Sequence, residues 1–154
     1  MQPVPDAVLA LIRLREGWRT EVYRDTRGYP TAGVGHKLLP SERAKYPLGT
    51  TVPDDVLTQW EVRDTTGAYQ AAIAQGALLG VTDENLINAL ASVSFQVGTN
   101  WYTEYKTLWG LLMQHRWNDA ALDAEGTRWA KQTRVRVDDF TKVLRSLPDD
   151  KSVV

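Results

Sequence analysis

The spacing of apolar residues predicts a helix near the N-terminus that ends at Gly17. Apolar residues recur there at intervals of three and four, as on the buried face of a helix: Val8, Leu11 and Ile12. Pro5-Asp6 is a suitable helix start, and glycine favours the left-handed backbone that commonly ends one. Glu16 lies four residues after Ile12, so its side chain is expected to extend the apolar face.

A small β-hairpin is predicted after this helix. Asp25-Thr26-Arg27-Gly28 begins with the acid and ends with the glycine, as in a type I turn. The residues on either side have the alternation and composition of short strands: Tyr23, Tyr29, Thr31 and Val34. Pairing around this turn would bring the Asp25 carboxylate near the Thr31 hydroxyl, where the two could hold a water molecule.

The rest of the chain is predicted to be helical. A short helix over 40–46 ends before Pro47, and a long helix with a Thr51 cap runs from Asp54 to about Gln75. Gly67 in the long helix costs about 1 kcal/mol relative to alanine, which favours a close packing contact there over a hinge.

Three more apolar stripes predict helices in the C-terminal half, the first of them after a cap at Thr82. Their members are Leu86, Leu90, Val93 and Val97, then Tyr105, Leu108, Trp109 and Leu112, and finally Val137, Phe140, Val143, Leu144 and Leu147. Residues 149–154 are expected to be frayed.

Composition limits the classes of protein to consider. The chain has 154 residues, 43% of them hydrophobic, which suffices for one core without independent domains. Cysteine is absent, which excludes disulfides and thiol catalysis. No stretch approaches the roughly 20 apolar residues of a membrane span, and the N-terminus lacks the features of a signal peptide. The two histidines have no ligand-like companions, so neither a metal nor another cofactor is expected.

Glu16 and Asp25 are two carboxyls with contrasting predicted surroundings. Glu16 is expected at the edge of an apolar face, which favours the neutral acid, and Asp25 in a polar turn, which keeps it ionised. Glycoside hydrolysis uses such a pair, with one acid for the leaving oxygen and one base beside water. Taken singly, each residue is also an ordinary structural choice. Gly33 and Gly35 leave room for backbone to approach a bound sugar.

Residues 16 to 36 resemble the catalytic segment of the phage-type lysozymes, best known from the enzyme of the T-even bacteriophages. The shared motifs, in the family's order and separations, are Glu16-Gly17, Tyr23-Arg24-Asp25, Gly28, Thr31 and Gly33-Val34-Gly35-His36. Phe95-Gln96-Val97-Gly98 and two Arg-Trp segments, from Arg116 and Arg128, extend the resemblance over residues 7 to 147.

The resemblance implies an α+β, mostly α, lysozyme-like fold in a single domain, 1–154. A small N-terminal lobe with a β-hairpin (13–60) would be joined by a connecting helix (53–75) to a helical lobe (1–12 and 76–154). A cleft is expected between the two lobes.

The resemblance also implies a muramidase, which hydrolyses the β-1,4 bond between N-acetylmuramic acid and N-acetylglucosamine in peptidoglycan. Glu16 would be the general acid, Asp25 the carboxylate that orients or activates water, and Thr31 the hydroxyl that positions it. T-even-type members are regarded as inverting. His36 would form a structural ion pair with an acid on the long helix, Glu61.

Substrate contacts are implied at Gly35, Lys37, Phe95, Gln96, Trp101, Leu108 and Asp123. Lys37 stands where the T-even enzyme has an apolar residue, and Leu108 and Asp123 where it has polar, uncharged groups. Trp101 is as consistent with a sugar contact as with the core, whereas the tryptophans of the helical lobe are predicted to be core: Trp109, Trp117 and Trp129.

The net charge is −1, but Arg128 to Arg145 holds six bases and two acids, a local charge of +4. This stretch is either a solvated helix face or a basic flank that attracts the wall or anionic lipid.

The implied partners are bacterial peptidoglycan and a separate holin-type pore-former, with no nucleic acid, and the protein is expected to be a monomer. It would be made in the host cytoplasm and act in the periplasm, as a phage endolysin or as a virion-borne wall-opening enzyme. A non-catalytic peptidoglycan-binding module and a lytic transglycosylase are the alternatives. The three reactive side chains argue against the first, and the water-holding Asp25 and Thr31 against the second.

Overall fold

The computed structural model describes residues 3–149, and most of these are helical. The helices are α1 (Asp6–Glu16), α2 (Pro40–Lys45), α3 (Asp54–Leu79), α4 (Glu84–Val97), α5 (Trp101–Glu104), α6 (Lys106–Met113), α7 (Trp117–Glu125), α8 (Arg128–Gln132) and α9 (Arg134–Ser146). The strands are β1 (Arg19–Arg24), β2 (Pro30–Gly33) and β3 (His36–Lys37). The predicted mostly α, α+β class is therefore confirmed. Of the segment predicted to fray, 150–154 lie outside the described residues.

The chain divides into two compact units, Met1–Gly67 and Ala68–Val154, and α3 contributes residues to both. The first unit holds α1, α2 and the whole sheet. Helix α1 ends as predicted at Gly17, whose φ of 77° places it in the left-handed region and whose N–H donates to the Arg13 carbonyl at 2.8 Å. Val8 and Ile12 on its apolar face are fully buried.

The sheet is antiparallel, with the order β1-β2-β3. Tyr23 pairs with Thr31, and Thr31 with Lys37, so these three residues form a row across one face. The opposite face is packed into a core that α3 and the preceding loop complete. Its members are Val22, Ala32, Leu38, Val52, Leu57 and Trp60. The alternation along each strand therefore separates a core face from the face that carries Thr31.

The second unit is helical and its core is built around α9, which contacts α4, α7 and α8. The predicted stripe on α9 is buried at Val137, Phe140 and Leu144. Gln75 of α3 lies inside this unit, 2% exposed, where it donates to Ser94 and to the Thr99 carbonyl.

Three local predictions about these helices are wrong. Helix α3 begins at Asp54 as predicted, but Thr51 is not its cap: it is bridged to Glu21 as an extension of the sheet. The cap of α4 is Asp83 rather than Thr82, and its carboxylate accepts from the Leu86 N–H at 2.9 Å. A Cβ on Gly67 would meet nothing within 4 Å, so no close packing contact requires a glycine there.

Candidate active site

The carboxyl of Glu16 lies against the backbone of Gly35. Glu16 is the last residue of α1, and Gly35 is in the turn that joins β2 to β3. A Cβ built on Gly35 would be 2.7 Å from Glu16 Oε2 and 3.2 Å from its Cδ. Gly35 also has a φ of 72°, so both its backbone conformation and the adjacent carboxyl favour glycine. The sequence predicts that this glycine lets the backbone approach a bound sugar. In the structure, the group that the backbone approaches is the side chain of Glu16.

Asp25 is fixed by the hairpin turn that it opens. The Gly28 N–H donates to the Asp25 carbonyl at 2.9 Å, which closes the predicted turn. The Asp25 carboxylate folds back over the turn, and its Oδ1 accepts from the N–H groups of Arg27 at 2.9 Å and Tyr29 at 2.8 Å. One oxygen of the carboxylate therefore fixes its orientation, and Oδ2 is the oxygen through which it can act on another group.

Thr31 lies on β2, 2% exposed, and is connected to Asp25 through the backbone of Tyr29. The Thr31 hydroxyl donates to the Tyr29 carbonyl at 2.8 Å, and the Asp25 N–H donates to the same carbonyl at 2.9 Å. The Tyr29 N–H is the donor already described to Asp25 Oδ1. Tyr29 thus binds both Asp25 and Thr31, and the water that these two residues would hold stays a prediction.

Tyr23 also belongs to the site. The sequence analysis assigns it no role, although it is part of the Tyr-x-Asp motif. It stands opposite Thr31 in the sheet and is half-buried. Burial raises the pKa of its phenol, and the negative charges of Glu16 and Asp25 act in the same direction against the lowering effect of Arg19. The phenol therefore lies within the electrostatic reach of both carboxyls.

His36 lies on the core face of the sheet, 5% exposed, between two acids. Its Nδ1 is 2.6 Å from Asp64 Oδ2, its Nε2 is 2.8 Å from Glu42 Oε1, and its ring stacks on Trp60 at 4.5 Å between centroids. Burial alone would lower the pKa of His36, but the hydrogen bonds with Asp64 and Glu42 and their charges outweigh it, so the pKa is raised.

The predicted ion pair of His36 with Glu61 is wrong. Glu61 is bound instead by the guanidinium of Arg13, with Nε at 2.6 Å and Nη2 at 2.8 Å from its two oxygens. The histidine is met by Asp64, three residues further along α3, and by Glu42 of α2. The long helix carries several acids, and which of them faces the sheet depends on its rotation, which the sequence pattern does not fix.

The predicted substrate contacts differ in accessibility. Gly35 adjoins Glu16, and Lys37 is exposed beside Thr31 in the first unit. In the second unit, Phe95 and Asp123 are partly exposed and remain predictions.

Two of the predicted contact positions are buried in the structure, and substrate contact there stays a prediction. Trp101 is 2% exposed and donates its indole N–H to Gln75 at 3.2 Å, and Leu108 is 1% exposed. Both side chains belong to the core of the second unit. The sequence could not show this, because an apolar stripe predicts a helix without distinguishing a residue at the surface edge from one inside. Gln96 is already engaged on both sides, accepting from Trp129 and donating to Thr133 at 2.8 Å each.

The arginines of the basic stretch are either paired with acids or buried. Arg128 pairs with Glu104, Arg145 with Glu125, and Arg134 with Glu125 and Asp138. A further base of the stretch, Arg136, is 7% exposed and lies against Ser92. Two acids from other helices, Glu104 and Glu125, are absent from the local count of charges, and including them lowers the charge of the stretch from +4 to +2 (4 − 2).

Residues 3–149 contain neither a candidate membrane span nor a candidate metal site. None of the helices there combines the length and the apolar character needed to cross a bilayer. Within the same range, no group of three or more His, Cys, Asp or Glu side chains is arranged to hold a metal ion.

Comparison with known proteins identifies the class to which this site belongs. The sequence profile of the phage lysozyme family matches residues 13–145, and the chain belongs to that family.

Among its relatives, peptidoglycan hydrolase gp36 of Pseudomonas phage phiKMV is 28% identical over 127 residues, which is 82% of this chain and 14% of the relative. The probable T4-type lysozyme 2 of Dictyostelium discoideum is 23% identical over 146 residues, 82% of this chain and 86% of the relative. The pre-baseplate central spike protein Gp5 of Enterobacteria phage T4 is 23% identical over 153 residues, 87% of this chain and 27% of the relative. The chain thus spans only a small part of the two phage relatives.

Proposed function

We propose that this protein is a peptidoglycan hydrolase of the muramidase type. It cleaves the β-1,4 bond between N-acetylmuramic acid and N-acetylglucosamine. Glu16 protonates the leaving glycosidic oxygen. Asp25 and Thr31 hold the water that attacks the anomeric carbon, and the Asp25 carboxylate accepts the proton that this water loses. Family membership supports the class of reaction, and the arrangement of the three side chains supports their roles.

The observation that carries the proposal is the shared contact of Asp25 and Thr31 with the backbone of Tyr29. A threonine hydroxyl has one proton, and that of Thr31 is donated to a carbonyl, so its oxygen can only accept from a water. Asp25, as a carboxylate, is also an acceptor. A water between them would donate both its hydrogens to the protein and keep its lone pairs for the sugar.

Glu16 provides the complementary function from the other end of the site. Glu16 is half-buried, and its carboxyl lies against Gly35. A side chain at position 35 would collide with the acid. The acid and the water-holding pair thus come from α1 and the hairpin of the same compact unit.

The decisive experiment compares wild type with Glu16→Gln on purified peptidoglycan. The amide keeps the shape of the side chain but has no acidic proton, so we expect a loss of about 100- to 10,000-fold in the release of reducing ends. Unchanged thermal unfolding would show that the loss is chemical. Binding without cleavage by wild type would instead identify a non-catalytic module.

The products separate hydrolysis from the transglycosylase alternative. Hydrolysis leaves reducing muramic acid ends, whereas transglycosylation leaves 1,6-anhydro ends. We propose hydrolysis with inversion, in which Asp25 binds the attacking water and does not itself attack the sugar. The anomer present immediately after cleavage, read by NMR, tests this.

We further propose that the enzyme is a phage endolysin that reaches the wall through a separate holin-type pore-former. The two phage relatives are much longer than this chain, and one of them is a pre-baseplate central spike protein. A virion-borne wall-opening enzyme is therefore the second candidate. Probing purified phage particles and infected-cell lysate with an antibody distinguishes the two. Expression with and without a pore-forming protein tests the route to the wall.

A further inference from the structure

The face of the sheet that carries Thr31 also carries two positively charged side chains, Lys37 and Arg19, to which the proposed reaction assigns no role. Lys37 is the direct neighbour of Thr31 on β3, and Tyr23 is its direct neighbour on β1. Side chains opposite one another in an antiparallel pair stand about 4.5–5.5 Å apart at Cβ. Lys37, whose amine is exposed, therefore lies on the strand next to Thr31, the residue proposed to hold the water.

Each of the two cations is steadied by an aromatic ring of the same hairpin. The Lys37 Nζ lies 5.2 Å from the centre of the Tyr29 ring, and the guanidinium carbon of Arg19 lies 4.1 Å from the centre of the Tyr23 ring. Such contacts attract a cation by the negative face of the ring and leave its N–H donors free to bind an anion. The two cations thus flank Thr31 on both sides, Lys37 through Tyr29 and Arg19 through Tyr23.

We propose that Lys37, assisted by Arg19, binds a carboxylate of the substrate and makes the enzyme selective for anionic glycan. This inference rests on the proposed muramidase function and adds a specificity determinant to it. A substrate carboxylate that approached the site would be repelled by the negative charge of Asp25, and a cation beside Thr31 offsets that repulsion. Lys37 acts on binding, and takes no part in proton transfer or attack.

The muramic acid unit offers the complementary group. It carries a lactyl ether whose carboxyl is either free or joined to a short acidic peptide, so a carboxylate projects from the sugar in both forms. Lys37 would bind a carboxylate in either case. The experiment below distinguishes the lactyl carboxylate from a carboxylate of the peptide.

The test uses Lys37→Leu, Lys37→Arg and a matched control, Lys45→Leu. Lys45 is also exposed and also lies over a tyrosine, at 5.6 Å from the centre of the Tyr46 ring, but it belongs to α2. Three substrates are compared: native peptidoglycan, the same material with its carboxyls converted to amides, and glycan stripped of peptides by an amidase. The readout is kcat and KM for reducing-end release at low and high salt.

On native peptidoglycan at low salt we expect Lys37→Leu to raise KM and lower kcat/KM by about three- to tenfold, with kcat little changed. The loss should shrink to less than about twofold on amidated material and at high salt, where screening weakens the pair. Lys37→Arg should restore most of the activity, and Lys45→Leu should match wild type. A loss on stripped glycan assigns the lactyl carboxylate, and a loss only on native material assigns the peptide.

Equal losses on native and amidated material would overturn the inference, because Lys37 would then act on the charges of the protein rather than on the substrate. No loss on native material would overturn it as well. If wild type releases no reducing ends from any of the three substrates, the proposed function itself fails, and this outcome is distinct from the other two.

Discussion

Gly35→Ala is expected to disable the site through one methyl group. The new Cβ would lie 2.7 Å from Glu16 Oε2, whereas ordinary contact begins near 3.4 Å, so the two must separate by about 0.7 Å (3.4 − 2.7). The added methyl is held by the backbone, so the carboxyl is the group that moves. A displacement near 1 Å at a reacting group costs up to about 100-fold, and we expect a fall in kcat of about 10- to 100-fold.

The same substitution also strains the backbone. Gly35 has a φ of 72°, and an alanine held in the left-handed region costs about 1–2 kcal/mol. Gly49→Ala is the matched control, because Gly49 has a φ of 83° in the same compact unit but its Cβ would meet nothing within 4 Å. Both variants should lose comparable stability, about 2–4 °C in Tm per kcal/mol. Only Gly35→Ala should lose activity beyond that.

The assay pairs reducing-end release from peptidoglycan with thermal unfolding of each variant. The temperature of the activity assay is kept well below both unfolding transitions, so that only folded protein is compared. A Gly35→Ala protein with kcat within threefold of Gly49→Ala would refute the reasoning. In that case the contact between Gly35 and the Glu16 carboxyl does not govern catalysis.

Three further predictions follow from contacts described above. Asp25→Asn and Thr31→Ala should each lower kcat by about 10-fold or more with an intact fold, because each removes one acceptor for the attacking water; wild-type kcat in either would exclude that residue. The raised pKa of His36 stabilises the fold below the unfolded pKa of about 6.5, so the free energy of unfolding should fall as pH rises through the folded pKa. Asp64→Asn should flatten that dependence in urea unfolding series, and an unchanged slope would contradict the pairing. Gln75→Leu leaves buried partners unsatisfied and should cost about 1–3 kcal/mol by denaturant unfolding; a neutral change would mean that these contacts contribute little.

Local patterns in the sequence suffice for the elements that carry the site. The apolar spacing predicts α1, and Gly17 ends this helix after Glu16. The acid and the glycine of the hairpin turn fix the place of Asp25 and set the pairing of β1 with β2. These features depend on neighbours within a few residues, where turn chemistry and helix capping dominate.

Contacts between distant segments could not be read in the same way. Nothing near His36 in the sequence selects Asp64 over Glu61, since both lie on α3 and the choice follows from how the helix packs. Trp101 illustrates a second limit. Its indole N–H has a buried partner in Gln75, and only the tertiary fold brings that partner to it.

Each compact unit also contains a histidine stacked on a tryptophan. In the first unit His36 stacks on Trp60 with ring centres 4.5 Å apart, and in the second His115 stacks on Trp117 at 4.7 Å. A protonated imidazole quenches the fluorescence of an indole in van der Waals contact with it. The His36–Trp60 pair is therefore a built-in optical sensor of the first unit. The chain has six tryptophans, so the part of the pH-dependent emission that Trp60→Phe removes is the part that reports the ionisation of His36. The protonation that stabilises the first unit can be followed in this way without an attached dye.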